Sequence, residues 1–587
     1  MKNFRLLLLC LLVFISSCNN SAKNTPEAFD QLLEDYYQES LALYRLPSTY
    51  LGETRYNDSL PNYLSAEFSA KETALNTNYA NAVEQFTELL SPTQQLSKEL
   101  LLWETSMALE SKKFKKELIP VDQMWSFHLN FGQLASGQGA QPFATEQDYA
   151  NWLIRIEGYL QWMQSAEDNM RKGMETGWVL PIALIKKVIP QLEQMITNSA
   201  EEHLFYGPIA ALPEGFSAEA KARITAEYVA AINDKIIPAY TQLYAFMAND
   251  YLAAGRTSSG FDALTDGAAY YQYAIKLYTT TEMTPNEIHQ LGLDEVARIR
   301  TAMEEVMVQV GFKGDLAAFF DHVRTSPALM PYTDPQEVID NFNAIHQRVI
   351  PKVNELFSLQ PKSPFEVRRT EAFREASASA EYNVGSLDGS RPGIFYVPIR
   401  DVNSYNGHQD EDLFLHEAIP GHHFQISLQQ ENISLPSFRK NLWYSAYGEG
   451  WALYTESLGK ELGLYEDPYQ YFGMLAAEMH RAIRLVVDTG MHSKGWTREQ
   501  AIAYSLENES ESEVKITSEI ERYMANPGQA LSYKIGQLKI RELRSKAEES
   551  LGDRFDIRDF HREVLESGCI PLALLEKKIN HWIETQN

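Results

Sequence analysis

Apolar and aromatic positions recur every three to four residues along most of this chain. That spacing gives a helix one buried face. Phe29, Leu32, Leu33, Tyr36 and Tyr37 form one such stripe, continued by Leu41 and Tyr44. Trp152, Ile154, Ile156, Leu160, Trp162 and Met163 form a second, and Tyr228, Ile232, Ile236, Ile237, Tyr240, Leu243 and Tyr244 a third. Prolines at 120, 181, 190, 213 and 238 punctuate them. The pattern predicts a helical N-terminal region over 27–265, closed by the polar, turn-forming stretch from Gly255 to Gly267. A second helical region follows over 266–587. Thr284-Pro285-Asn286-Glu287 reads as an N-cap with Pro at the first helical position and an acid in the first turn. Later stripes include Leu475, Met479, Ala482, Ile483, Val486 and Val487, then Ile535, Leu538, Ile540 and Leu543. No repeat of fixed period is visible.

One segment breaks the helical period. Arg391 to Ile399 is short, aromatic and β-branched, with Pro and Gly at its flanks, so it is expected as a strand. Pro398 suits an edge position, where an extended substrate backbone could add to the sheet. The expected fold class is mainly α with a small β-sheet beside the active-site cleft.

The first residues read as a processing signal. Lys2 and Arg5 give a basic start, and Leu6 to Ile15 is an apolar run too short to span a bilayer. It ends at Ser16-Ser17-Cys18, which resembles a bacterial lipoprotein cleavage site. Residues 1–17 are then a signal peptide, Cys18 the lipidated residue, and 18–26 a tether. Ordinary secretion with an incidental Cys18 is the alternative. With Cys10 in the leader and Cys18 lipidated, Cys569 stands alone, so no disulfide framework is expected. The formal charge of −27 disfavours nucleic acid and anionic lipid surfaces as partners.

Candidate chemistry concentrates late in the chain. Six of the thirteen His lie between 408 and 492. Two imidazoles plus one carboxylate make a catalytic zinc site that keeps a position open for water. His416-Glu417 supplies a ligand and, beside it, a general base. A helical zinc motif places its second His four residues on, but that position is Pro420, and His422 and His423 lie six and seven residues on. Seven residues of straight helix rise about 10 Å, too far for one ion. Pro420 and Gly421 allow a bulged turn that brings a later His back. Spacing leaves His422 and His423 open, with His423 favoured because a helix pattern continues after it. Glu449 is the expected third ligand, and Glu456 a backup or orienting acid.

Three further groups are candidates. Arg484, Asp488 and His492 share a helical face at i, i+4 and i+8, so an Arg–Asp pair could orient His492 toward an oxyanion. A surface His beside a structural pair is the plainer alternative. Tyr533, after the Pro527-Gly528 turn, could aim its phenol at the same oxyanion. Arg391, Tyr396 and Arg484 are candidates for binding substrate.

His-Glu-Ala-Ile-Pro-Gly-His-His (416–423), Gly-Glu-Gly-Trp-Ala-Leu-Tyr (448–454), Arg-Leu-Val-Val-Asp-Thr-Gly (484–490) and Pro-Gly-Gln-Ala-Leu-Ser-Tyr-Lys-Ile-Gly (527–536) together resemble one family. It is the bacterial group called domain of unknown function 885, whose relatives include gluzincin metallopeptidases. Asp388 to Gly393 also resembles it. The resemblance implies a helical gluzincin-like architecture around a zinc cleft, with His416, one of His422 and His423, and Glu449 as ligands and Glu417 as base. The expected function is a lipid-anchored, cell-envelope zinc peptidase acting on short peptides. The rivals are a non-catalytic helical lipoprotein that binds peptides or glycans, and a zinc amidase acting on wall peptides.

Overall fold

Helices in this protein begin where the sequence supplies acceptors for unpaired backbone N–H groups. Thr284 Oγ1 accepts from the Glu287 N–H at 3.3 Å, and the Glu287 carboxylate accepts from the Thr284 N–H at 2.8 Å. This reciprocal cap opens helix α1, Pro285–Gln309. The computed structural model describes residues 25–586 apart from 87–89, 372–374, 376–377 and 387–390. The leader, Cys18, most of the tether, and Asp388 to Ser390 lie outside the described residues.

Helices dominate on both sides of residue 265. Gly267 opens a helix running to Thr279, at the position where the sequence pattern resumes. The apolar core does not stop there: it runs continuously from Phe29 to Ile583. Polar contacts cross between the two regions as well. Tyr444 donates its phenol to Glu104 at 2.7 Å, and the buried Arg439 guanidinium donates to Ser97 at 3.0 Å.

Three strands form the small sheet: β1 Phe365–Arg369, β2 Glu381–Asn383 and β3 Gly393–Val397. Their order is β1-β3-β2. Strand β3 runs parallel to β1 and antiparallel to β2, so that Phe395 stands opposite both Val367 and Tyr382. The edge reading of this segment is therefore corrected. Strand β3 is central, and both of its edges are already paired, so no substrate strand can add to it. Pro398 falls one residue after the last paired position, where its missing N–H breaks no ladder bond.

The helices that carry the site follow the sheet: α2 Asp410–Glu417, α3 His422–Glu431, α4 Ser445–Ser457, α5 Pro468–Ser493 and α6 Ser532–Leu551. Small residues let them approach closely. A Cβ at Gly450 of α4 would stand 2.5 Å from the Gly536 backbone of α6, and one at Gly536 would stand 1.8 Å from the Ala446 carbonyl oxygen. Two glycines thus face each other where α4 and α6 cross. Among the described residues, no helix is long and apolar enough to cross a membrane.

Candidate metal centre

Helix α2 ends at Glu417, and α3 begins at His422. Between them the chain doubles back so tightly that a Cβ on Gly421 would lie 2.0 Å from the His416 carbonyl oxygen and 2.2 Å from that of Leu415. Only glycine fits there. Helix α4 fastens this turn from the side: the Trp451 indole N–H donates to the Pro420 carbonyl at 2.9 Å, and the Thr455 hydroxyl donates to the Leu415 carbonyl at 2.9 Å. The His416 and His422 rings consequently stand 4.8 Å apart, nearly perpendicular. In a straight helix, six residues would separate their backbones by about 9 Å along the axis.

Glu449 of α4 closes the group. Its Oε2 lies 3.6 Å from His416 Nε2 and 3.4 Å from His422 Nε2. Donors about 2.0–2.1 Å from one tetrahedral zinc stand roughly 3.3 Å from each other, so this spacing fits a shared ion. One donor atom from each of the three residues lies within 4.8 Å of the others. On the far side of His416, Nδ1 pairs with Glu456 Oε1 at 2.6 Å. A proton on Nδ1 satisfies that bond, and an imidazole deprotonated at Nε2 would then turn its lone pair to the group. Glu456 sits two helical turns after Glu449, so one helix supplies both acids. Asp412, one turn before His416, is buried beside them. Burial, and then the Glu456 charge, push its carboxyl far above the usual range.

The electrostatics of the cluster follow from burial set against its mixed charges. Burial alone would keep His416 neutral, but Glu449 and Glu456 outweigh it and hold the imidazole up to about 10. Burial alone would also raise Glu449, but the His422 and His416 rings outweigh it and hold the carboxyl well below its usual range. The buried acids thus draw a positive charge onto the site. A divalent cation would meet the same demand. Glu417 sits at the C-terminal end of α2 in the same field. Burial raises its carboxyl, and the His416 and His422 imidazoles pull it back.

Tyr533, in the first turn of α6, is brought toward α4 by the Gly450–Gly536 crossing. Its phenol is raised by burial and then by the charge of Glu449. The Arg484 guanidinium lies 4.6 Å from the Tyr533 ring centre.

Other expected residues sit elsewhere. His423 is not in the ligand group, a correction to the favoured choice. Successive helical residues point about 100° apart, so with His422 facing Glu449, His423 faces the sheet. There its Nδ1 pairs with the Tyr382 hydroxyl at 3.0 Å, and its ring packs 4.9 Å from Phe365. His492 is also corrected: it is fully buried in the core and is not part of the candidate metal group. Its Nδ1 accepts from the Phe261 N–H at 3.1 Å, and its Nε2 pairs with the Tyr523 carbonyl at 3.0 Å. The expected Arg484–Asp488 pair does not form, because each has another partner. Arg484 donates to Tyr523 at 2.9 Å and Glu519 at 3.0 Å, while Asp488 accepts from Tyr271 at 2.6 Å. Arg391 is exposed just before β3, its N–H donating to Ser386 Oγ at 2.9 Å. Tyr396 lies on β3 in register with Arg368 and Glu381, on the face opposite Phe395.

Asp412 and Trp443 went unmarked by the sequence pattern. Asp412 lies four residues before His416, a helical spacing that signals a neighbour. Trp443 carries no such signal, yet its ring centre stands 5.8 Å from that of His422.

The fold and site define a mainly helical protein with a two-histidine, one-glutamate cluster gripped by three helices. The family model described as "Bacterial protein of unknown function (DUF885)" matches residues 47–579, and the chain belongs to that family. Among the similar solved structures are two each described as a "putative lipoprotein". One, from Colwellia psychrerythraea, is 30 % identical with a TM-score of 0.88, covering 95 % of this chain and 99 % of that one. The other, from Shewanella oneidensis, is 19 % identical with a TM-score of 0.73, covering 94 % and 99 %, and it shows the fold alone. No curated protein matches the chain.

Proposed function

We propose that this protein is a zinc-dependent peptidase of the gluzincin type, anchored in the cell envelope through Cys18. One observation carries the reading: His416 Nε2, His422 Nε2 and Glu449 Oε2 converge at ion-sharing distances, with Glu417 beside them and Glu456 behind His416. His416, His422 and Glu449 would hold the ion. Zinc in such a site acidifies water and polarises a carbonyl. Glu417 accepts the proton of the attacking water and passes it to the leaving amine, a role its raised pKa suits. The Tyr533 phenol stabilises charge developing on the carbonyl oxygen. The two imidazoles suit zinc better than the harder magnesium or calcium ions. Analogy with helical peptidases favours short peptides over folded proteins as substrates. The leader pattern, ending at Cys18, and the description of both similar structures support the anchor.

Metal analysis together with Glu417→Gln tests this reading. About one zinc per chain is expected in the parent and in Glu417→Gln. Hydrolysis of a short-peptide mixture should fall at least a hundredfold in the variant. Absence of stoichiometric metal, or unchanged hydrolysis by Glu417→Gln, would overturn it.

A further inference from the structure

The ligand side chains are graded in exposure. His416 is 6 % exposed, His422 10 % and Glu449 16 %, so the centre opens on the His422–Glu449 side. Trp443 stands on that side, its ring centre 5.8 Å from that of His422. It precedes α4, and its six-membered ring lies on the α4 backbone at Gly448, where a Cβ would sit 2.1 Å from the indole Cη2. Any larger residue at 448 would displace the indole. With its base fixed this way, Trp443 remains 44 % exposed.

A lone exposed apolar side chain needs no explanation, and Trp125 and Ile433 are more exposed elsewhere. Trp443 differs in its position beside a ligand imidazole. A peptide carbonyl at the ion would place its neighbouring residues about 3.3–3.6 Å further along an extended chain. An indole 5.8 Å from the His422 ring is therefore within reach of the side chain one or two residues from the scissile bond. A rigid, flat, apolar ring at such a place favours large apolar and aromatic partners.

We infer that Trp443 forms the wall of a substrate subsite that takes a large apolar or aromatic side chain next to the scissile bond. This inference rests on the peptidase reading and names its substrate class. The test separates the two. Zinc-loaded Glu417→Gln protein is titrated calorimetrically with hexapeptides blocked at both ends, differing only in a central Gly, Leu, Phe or Lys. The same titrations are made with Trp443→Ala and Trp443→Phe added. Trp443→Ala should weaken the Leu and Phe peptides at least tenfold and the Gly peptide less than twofold. Trp443→Phe should recover most of the loss, which guards against a merely misfolded Ala variant. An equal loss across the panel, no loss, the largest loss with Lys, or no peptide binding at all would overturn the subsite. Turnover of the same peptides by the parent protein is scored separately. Selective binding without turnover would refute the catalytic reading and keep the subsite.

Discussion

His416 gives its Nδ1 proton to Glu456 at 2.6 Å, and Glu456 lies two turns along the same helix that presents Glu449 to the other ring nitrogen. Helix α4 therefore both completes the candidate ligand group and orients its first histidine. Acids that orient a ligand histidine raise its basicity and fix its tautomer. Glu456→Gln retains an oxygen that can accept the Nδ1 proton but removes the charge. Zinc affinity, measured by competition with a chelator, should fall about 10–100-fold with the fold intact. An unchanged affinity would show that Glu456 serves packing alone.

The return turn depends on residue 421 having no side chain. A Cβ there would lie 2.0 Å from one carbonyl oxygen and 2.2 Å from another, and neither can yield without unwinding the end of α2. Gly421→Ala should lose stoichiometric zinc and lower the thermal midpoint, with a strain on the order of 1–3 kcal/mol. Metal analysis and a melting curve check both. A variant that binds zinc as tightly as the parent would mean that the turn relaxes freely.

Much of this arrangement is legible in the sequence, and what is not has identifiable causes. The His416-Glu417 pair, the Glu449 segment and the helix break at Pro420-Gly421 all carry local signals. The choice between His422 and His423 does not. It depends on the rotation at which α3 restarts after the turn, and Trp451 and Thr455 set that by long-range hydrogen bonds. His492 misled for a similar reason. Its helical face was correctly read, but partners from distant segments, Phe261 and Tyr523, claim both of its nitrogens. Composition marks 391–399 as a strand, and the paired residues are 393–397. Its central position is not legible there, because β1 and β2 reach it from separate parts of the chain.

His492 should act on stability, not on catalysis. Burial holds its imidazole down to about 3, with the Arg256 and Lys116 charges adding to the effect and the Tyr523 carbonyl opposing it. The ordinary value is near 6.5. The folded protein keeps the ring neutral while the unfolded chain takes up a proton below that pH. Its contribution is thus complete above about 6.5 and is lost as pH falls toward 3, by at most about 1.4 kcal/mol per pH unit. His492→Gln should be less stable than the parent at pH 7, and the gap should narrow steadily between pH 6.5 and 4 in denaturant titrations. Peptide hydrolysis at pH 7 should stay within about twofold. A constant gap, or a selective loss of hydrolysis in folded variant, would contradict the buried structural role.

Tyr533 offers the sharpest division between positioning and chemistry. Its backbone is fixed by the Gly450–Gly536 crossing, and its ring faces the Arg484 guanidinium at 4.6 Å. Removing the hydroxyl should disturb neither. Tyr533→Phe should therefore bind zinc and peptide as the parent does. If the phenol donates to the oxygen that gains charge during attack, kcat should drop about a hundredfold while KM stays within about threefold. A rise in KM with kcat preserved would instead make Tyr533 a substrate contact. A change of less than threefold in both would remove it from the mechanism and leave Glu417 as the principal acid–base group at the centre.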